Sequence, residues 1–318
     1  MTSTALLADD ANSQTAADPA RVRIAGRDVL RVAFGGARLT AGDGWGVPAD
    51  PERSRNVLRA ALEAGIDHVD TADALGPGVS ESIIGDVVGD RSDVLVATKV
   101  GMLRPGPHQW DVLGHPNYLR QQVYASLTRL RRERIDLLYL HRIDPAFPLE
   151  DQLGALQDLR DAGLVGALGV SEPTPDQVER VLELEPSLAA VQSLYNVAAP
   201  AGRAVARTLE ERGIPFVAYW PLVGRGVDAA RHAALFDGLA RIGATRGLTA
   251  PQVALAWIYT TAPNAASVVG SRSATHIASN VAAAGVRLDR AALDEIDALS
   301  RTALAGVAFN PRYSKDEA

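Results

Sequence analysis

At 318 residues, with 47% hydrophobic side chains and a mean hydropathy of zero, the chain can bury one large core, so size alone allows one α/β barrel or two smaller domains. A net charge of −6 and a pI near 5.6 disfavour nucleic acid or an anionic membrane as the main partner and point to a small molecule, because no long-range attraction draws this protein to a polyanion. Cysteine is absent, which excludes a disulfide framework, a thiolate metal site and a cysteine nucleophile. No apolar run approaches the roughly 20 residues of a membrane helix, and no basic start precedes an apolar stretch at the N-terminus. The expectation is a cytoplasmic protein with no membrane contact. Its oligomeric state cannot be read from the chain.

In chain order, residues 1–20 are rich in Ala, Ser, Thr and Asp without a sustained apolar period and predict a disordered tail. Residues 21–318 then form the folded part. Arg21 to Leu39 alternates as a short hairpin leading into a buried strand that ends at Phe34-Gly35-Gly36. Further strands are predicted at Asp67–Val69, Val94–Ala97, Leu137–Leu140, Gly166–Val170, Ala190–Gln192, Phe216–Tyr219 and Ser267–Val269. Helical periodicity runs through Arg53–Ala64, Tyr118–Arg131, Leu149–Ala162, Pro175–Leu184, Arg203–Arg212 and Pro251–Tyr259. Gly65, Gly163 and Gly213 each follow a helix, where a left-handed cap favours a residue without Cβ. Thr249-Ala250-Pro251-Gln252 supplies a capping threonine and an early proline. Eight strands with interleaved helices are what an (α/β)8 TIM barrel requires, here with an N-terminal β-hairpin. The competing doubly wound sheet would carry Gly-x-Gly-x-x-Gly after its first strand, and Phe34-Gly35-Gly36-Ala37-Arg38 does not.

Asp70, Lys99 and His141 each stand at the end of a short apolar run, so three barrel strands can aim polar side chains at one point. A buried lysine beside a carboxylate keeps its charge and acidifies a neighbour, and an imidazole orients a carbonyl oxygen. Taken singly, each residue also fits a structural ion pair or a satisfied polar group. The six histidines are scattered without metal-ligand spacing, and a Gly-x-Ser-x-Gly elbow is missing.

The segments Gly65-Ile66-Asp67-His68-Val69-Asp70-Thr71-Ala72-Asp73-Ala74-Leu75-Gly76, Ala97-Thr98-Lys99-Val100-Gly101 and Leu138-Tyr139-Leu140-His141-Arg142 resemble, in this order, the catalytic strand ends of the aldo-keto reductases. The resemblance extends from about Arg21 to Leu299 and is nearest to bacterial pyridoxal-reductase-like members. It implies an aspartate, tyrosine, lysine and histidine acting together. Asp70, Lys99 and His141 fill three of those places, and Leu75 occupies the tyrosine's.

The resemblance also implies a nicotinamide cofactor. Ser171 and Gln192 would meet its amide, and Tyr219, Trp220, Pro221 and Leu222 belong to the segment that stacks on its ring. Gly224 would lie near the pyrophosphate, with Gly36, Arg38 and Asp70 in the same set. Gly270, Ser271, Arg272, His276 and Asn280 would form the adenosine end, where a cation and a helix terminus favour a 2′-phosphate and hence NADPH over NADH. The loop from Leu103 to Pro116 would overhang the substrate, with Leu75, His108 and Trp110 lining the pocket. His115 is a further candidate, and both histidines also fit exposed loop positions.

Leucine cannot protonate a substrate oxygen, and general acid catalysis is typically worth about 10²–10⁴-fold. Three readings follow. The chain is an NADPH-dependent oxidoreductase acting on a small carbonyl, imine or activated alkene, with His141, Lys99, Tyr195 or water as the proton source where one is needed. Alternatively, it is a repurposed enzyme performing elimination, isomerisation or cyclisation with Asp70, Lys99 and His141. The third reading is a non-catalytic nucleotide-binding protein.

Overall fold

Short apolar strands alternating with amphipathic helices close into a parallel barrel, seen in a computed structural model that describes residues 18–222 and 228–303. The expected tail therefore falls outside the described residues except for 18–20, as does Gly224. An antiparallel hairpin, β1 (Arg21–Ile24) and β2 (Arg27–Leu30), precedes the first barrel strand β3 (Val32–Gly35). There follow α1 (Pro51–Glu63), β4 (His68–Asp70), α2 (Val79–Val88) and β5 (Leu95–Val100). A small antiparallel pair, β6 (Met102–Leu103) and β7 (Asp111–Val112), interrupts the path to α3 (Pro116–Leu130) and β8 (Ile135–Leu140). The chain continues through α4 (Leu149–Asp161), β9 (Val165–Ser171), α5 (Pro175–Leu184), β10 (Ala190–Leu194), α6 (Arg203–Glu211) and β11 (Phe216–Tyr219). Two helices, α7 (Ala229–Ala244) and α8 (Ala250–Thr261), lead to β12 (Ala265–Val269), α9 (Ala274–Ala282) and α10 (Arg290–Ala303).

The closed order β3-β4-β5-β8-β9-β10-β11-β12 follows the chain, with every neighbouring pair parallel. This is an (α/β)8 TIM barrel, as the strand pattern predicts, with the expected hairpin in front of it. Period-2 alternation sorts the side chains into two cores. Val69, Val96, Val100, Leu138, Leu140, Val170 and Phe216 face the helices, whereas Leu95, Ala97, Leu137, Tyr139, Ala190, Val217 and Ala266 fill the lumen. Ile24 and Val29 of the hairpin join the lumen cluster and close its floor. Asp67 fastens that floor by pairing with Arg21 and accepting the Leu30 amide at 2.8 Å.

Local signals explain the helix ends. Gly65, Gly163 and Gly213 adopt φ of 93°, 80° and 67°, so all three predicted caps are left-handed. Thr249 and Gln252 form a reciprocal capping box, and Thr174 with Gln177 forms another. Among the described residues no helix is long and apolar enough to cross a membrane.

Candidate active site

The alternation that buries Leu95 and Ala97 in the lumen also turns Lys99 inward at the C-terminal end of β5, and likewise Asp70 on β4 and His141 just past β8. Lys99 Nζ donates to Asp70 Oδ1 at 2.5 Å and to the Thr71 carbonyl at 2.8 Å. Both charged side chains are only 6% exposed. Gln192 donates its amide to the other Asp70 oxygen at 2.9 Å, so the carboxylate is held from two sides. The Tyr139 ring lies beneath, with Lys99 Nζ 5.5 Å from its centroid. Burial lowers the Lys99 pKa from its usual value, and the adjacent Asp70 carboxylate opposes that shift.

His141 is buried, and its pKa falls well below the ordinary imidazole value, first through burial and then through the Arg142 and Lys99 charges. It is therefore a neutral imidazole, and its Nδ1 has no partner among the described residues. Arg142 donates to the His141 carbonyl at 2.6 Å and to the Ser171 hydroxyl at 3.1 Å, fixing the ends of β8 and β9 together.

Leu75 lies partly exposed on the turn after β4, its amide donating to Ala72 O at 3.1 Å. Three loops converge around it. Trp45 bridges to Gly76, and Arg104 donates to Gly44 O at 3.1 Å, Ala74 O at 3.2 Å and Gln109 O at 2.9 Å. The Arg104 guanidinium stands 3.7 Å from the Trp110 ring centroid and 5.2 Å from that of Trp45. Trp110 thus stacks on a cation. His108 is exposed at a left-handed φ of 59°, and His115 caps α3 by accepting the Asn117 amide at 3.1 Å.

At the remaining strand ends, Tyr219 and Trp220 are half-buried with ring centroids 5.7 Å apart. Glu172 after β9 and Trp220 after β11 carry φ of 56° and 48°, a left-handed geometry costing about 1–3 kcal/mol each. Glu172 accepts the Leu194 amide at 2.6 Å and the Trp220 carbonyl accepts from Asn196 at 2.8 Å, which holds both strained corners. Gly270 packs against Gly35 and Arg38 so closely that a Cβ there would come within 2.8 Å of Arg38 Cγ. Arg272 donates to the carbonyls of Arg38 at 3.2 Å and Thr40 at 3.3 Å, which ties the residue just before α9 to the turn after β3. Ser273 caps that helix through the His276 amide, Ser271 bonds to Ser273, and Asn280 is buried further along.

Tyr195, considered above as a proton source, is corrected by its position. It lies fully buried in the outer core, its ring against Trp257 and its hydroxyl on Thr261 at 2.8 Å, away from the lumen. Other site-adjacent residues escaped the sequence reading. Arg104, Arg142 and Tyr139 are ordinary in sequence, although Arg142 and Tyr139 belong to a segment quoted for the resemblance and Arg104 to the loop expected over the substrate. Asp73 is buried with no hydrogen-bond partner for either carboxylate oxygen among the described residues, and burial, then Glu81, pushes its pKa well up. His68, one layer below Asp70, has neither ring nitrogen partnered among the described residues and a pKa lowered by burial to about 4.

A lysine–carboxylate pair and a neutral histidine thus stand at the C-terminal mouth of a closed barrel, and the sequence comparisons say which family builds it. The profile of the Aldo/keto reductase family matches residues 31–301, and the chain belongs to that family. It is 32% identical to an uncharacterized oxidoreductase of Schizosaccharomyces pombe, over 87% of this chain and 88% of that protein. It is also 32% identical to pyridoxine 4-dehydrogenase of Escherichia coli, over 86% of this chain and 96% of that one. In fold it resembles the glycerol dehydrogenase of Gluconobacter oxydans, with a TM-score of 0.80 at 24% identity over 93% of this chain and 99% of the other. It likewise resembles an aldo/keto reductase of Klebsiella pneumoniae solved with NADP and acetate, with a TM-score of 0.73 at 23% identity, 88% of this chain and 95% of the other being covered. The protein is an aldo-keto-reductase-like oxidoreductase, and its family acts on small molecules.

Proposed function

We propose that this protein is an NADPH-dependent reductase of a small carbonyl, imine or activated alkene, in which Lys99 supplies the proton that a tyrosine supplies elsewhere in the family. The observation that carries the reading is the buried Lys99–Asp70 pair at 2.5 Å with Leu75 on the neighbouring turn. The described residues fit a pyridine dinucleotide. Ser171, Gln192, Tyr219 and Trp220 lie on or just after the neighbouring strands β9, β10 and β11, where a nicotinamide would be held. Arg272 beside the start of α9, with the exposed Arg38 bonded to it through its backbone carbonyl, supplies positive charge suited to a 2′-phosphate, which supports NADPH over NADH.

When bound, the nicotinamide supplies hydride to the substrate carbon. The chain's own part is to manage charge at the substrate oxygen. His141, held neutral, orients that oxygen through a ring N–H. Lys99, made more acidic by burial, gives up a proton, and Asp70 steadies the ammonium until it does. Leu75 adds apolar surface to the pocket and no donor. The likeness to pyridoxine 4-dehydrogenase places pyridoxal first among carbonyls to try.

Calorimetric titration with NADPH and NADH, followed by absorbance assays on a carbonyl panel headed by pyridoxal, tests the reading. NADPH uptake with cofactor oxidation during turnover is the expected result. No nucleotide uptake overturns it, and substrate conversion with cofactor unconsumed transfers the assignment to elimination, isomerisation or cyclisation. Tight NADPH binding without chemistry of either kind would make the protein a nucleotide-binding one.

A further inference from the structure

The chain carries 32 basic side chains, of which 30 are arginine and two are lysine, Lys99 and Lys315. The ion pairs of the described helices and loops use arginine throughout, as in Arg55–Asp86, Arg129–Glu81, Arg160–Glu185 and Arg212–Glu179. An arginine stays charged in any protein environment, whereas a desolvated lysine can release its proton and expose a lone pair. The one lysine among the described residues is therefore the one at the mouth of the barrel. It is 6% exposed, with a proton acceptor, Asp70 Oδ1, 2.5 Å from its nitrogen. Leu75 on the adjoining turn has neither a proton to give nor a hydroxyl to compete for a carbonyl group.

We propose that Lys99 also acts as an amine nucleophile, condensing reversibly with small aldehydes to form a covalent imine at the barrel mouth. This rests on the preceding reading only in taking a carbonyl compound as the ligand class. The ammonium first passes a proton to Asp70, and the freed lone pair forms the N–C bond while the C=O π pair moves to oxygen. Asp70 returns the proton to that oxygen, giving an N-protonated carbinolamine. A second nitrogen proton then passes to the hydroxyl, by way of Asp70 or neutral His141, and the C–O bond breaks. Water departs and the nitrogen lone pair makes the C=N bond. Of the three ammonium hydrogens, two leave in the water and one stays on the iminium, so neither an oxidant nor an external acid is consumed. The Tyr139 ring below the nitrogen favours the cationic product as it favours the ammonium.

The test is reductive trapping of the full-length protein with benzaldehyde and sodium cyanoborohydride, without pyridine nucleotide, followed by peptide mass spectrometry. Lys99 should be labelled about tenfold or more faster than Lys315 in the folded protein, and at a similar rate once the chain is denatured. Labelling of folded Lys99 no faster than Lys315 overturns the proposal. Asp70→Asn removes the base that takes up the proton as well as the charge that holds the ammonium; loss of the relay should dominate and slow labelling at Lys99 with Lys315 unchanged, and faster labelling overturns the relay. Should that variant fold poorly, Leu75→Phe keeps the ion pair and screens the amine from the mouth, so undiminished labelling there also overturns it. Because nicotinamide is absent throughout, failure here leaves hydride transfer untouched. A protein that is labelled at Lys99 yet never oxidises NADPH would keep this inference and lose the other.

Discussion

Gln192 donates its side-chain amide to Asp70 across the full width of the barrel, from β10 to β4, which stand four places apart in the eight-strand ring. That bond occupies the carboxylate oxygen Lys99 does not use. Gln192→Leu should leave a buried carboxylate oxygen unsatisfied and destabilise the protein by about 1–3 kcal/mol. Urea unfolding of the purified variant measures it, and an unchanged midpoint would show the bond to be energetically idle.

Leu75→Tyr should restore a phenol to the turn beside Lys99 and raise kcat/KM for carbonyl reduction by about 10²-fold or more. Steady-state NADPH oxidation with a fixed aldehyde is the readout. A variant that folds and binds NADPH but gains nothing would mean that Lys99 and His141 are not aligned for hydride chemistry.

His68 gives the fold a specific acid sensitivity. The unfolded chain takes up a proton at this residue near pH 6.5, whereas the folded protein does so only near 4. Its contribution is therefore complete above pH 6.5, falls as pH drops from 6.5 towards 4, and levels off below. The loss amounts to about 3 kcal/mol. The difference in stability between wild type and His68→Leu, measured by denaturant titration from pH 7 to 4, should change by that order across the window.

Asp73 has the opposite sign. Its folded pKa is raised, first by burial and then by Glu81, so the folded state keeps a proton that the unfolded chain loses as pH rises. Asp73→Asn, which mimics the protonated acid, should therefore gain stability relative to wild type as pH climbs above the usual carboxylate range. Thermal melts at pH 4 and pH 8 decide it, and an equal difference at both would show Asp73 to be ionised.

Much of this architecture was legible because apolar strand runs and helix caps are local. Phe216–Tyr219 and Pro175–Leu184 were read to the residue. Strand ends at the site were read short for a physical reason. β4 extends to Asp70 and β5 to Val100 because Asp70 and Lys99 neutralise each other inside the lumen, a pairing that hydropathy alone treats as a loop. α2 was not among the helices predicted, and a glycine, Gly85, stands in its middle. In the fold a Cβ at Gly85 would lie 2.2 Å from Arg129 O, so glycine is what lets α2 and α3 touch. The β6–β7 pair spans two residues per strand, too few to show a period, and Tyr195 was misjudged because a phenol's sequence position does not reveal which side of a barrel wall it faces.

The hairpin closes this end of the barrel by packing Ile24 and Val29 into the lumen core. Reactant, product and any solvent exchanging with the buried ammonium must then share one doorway.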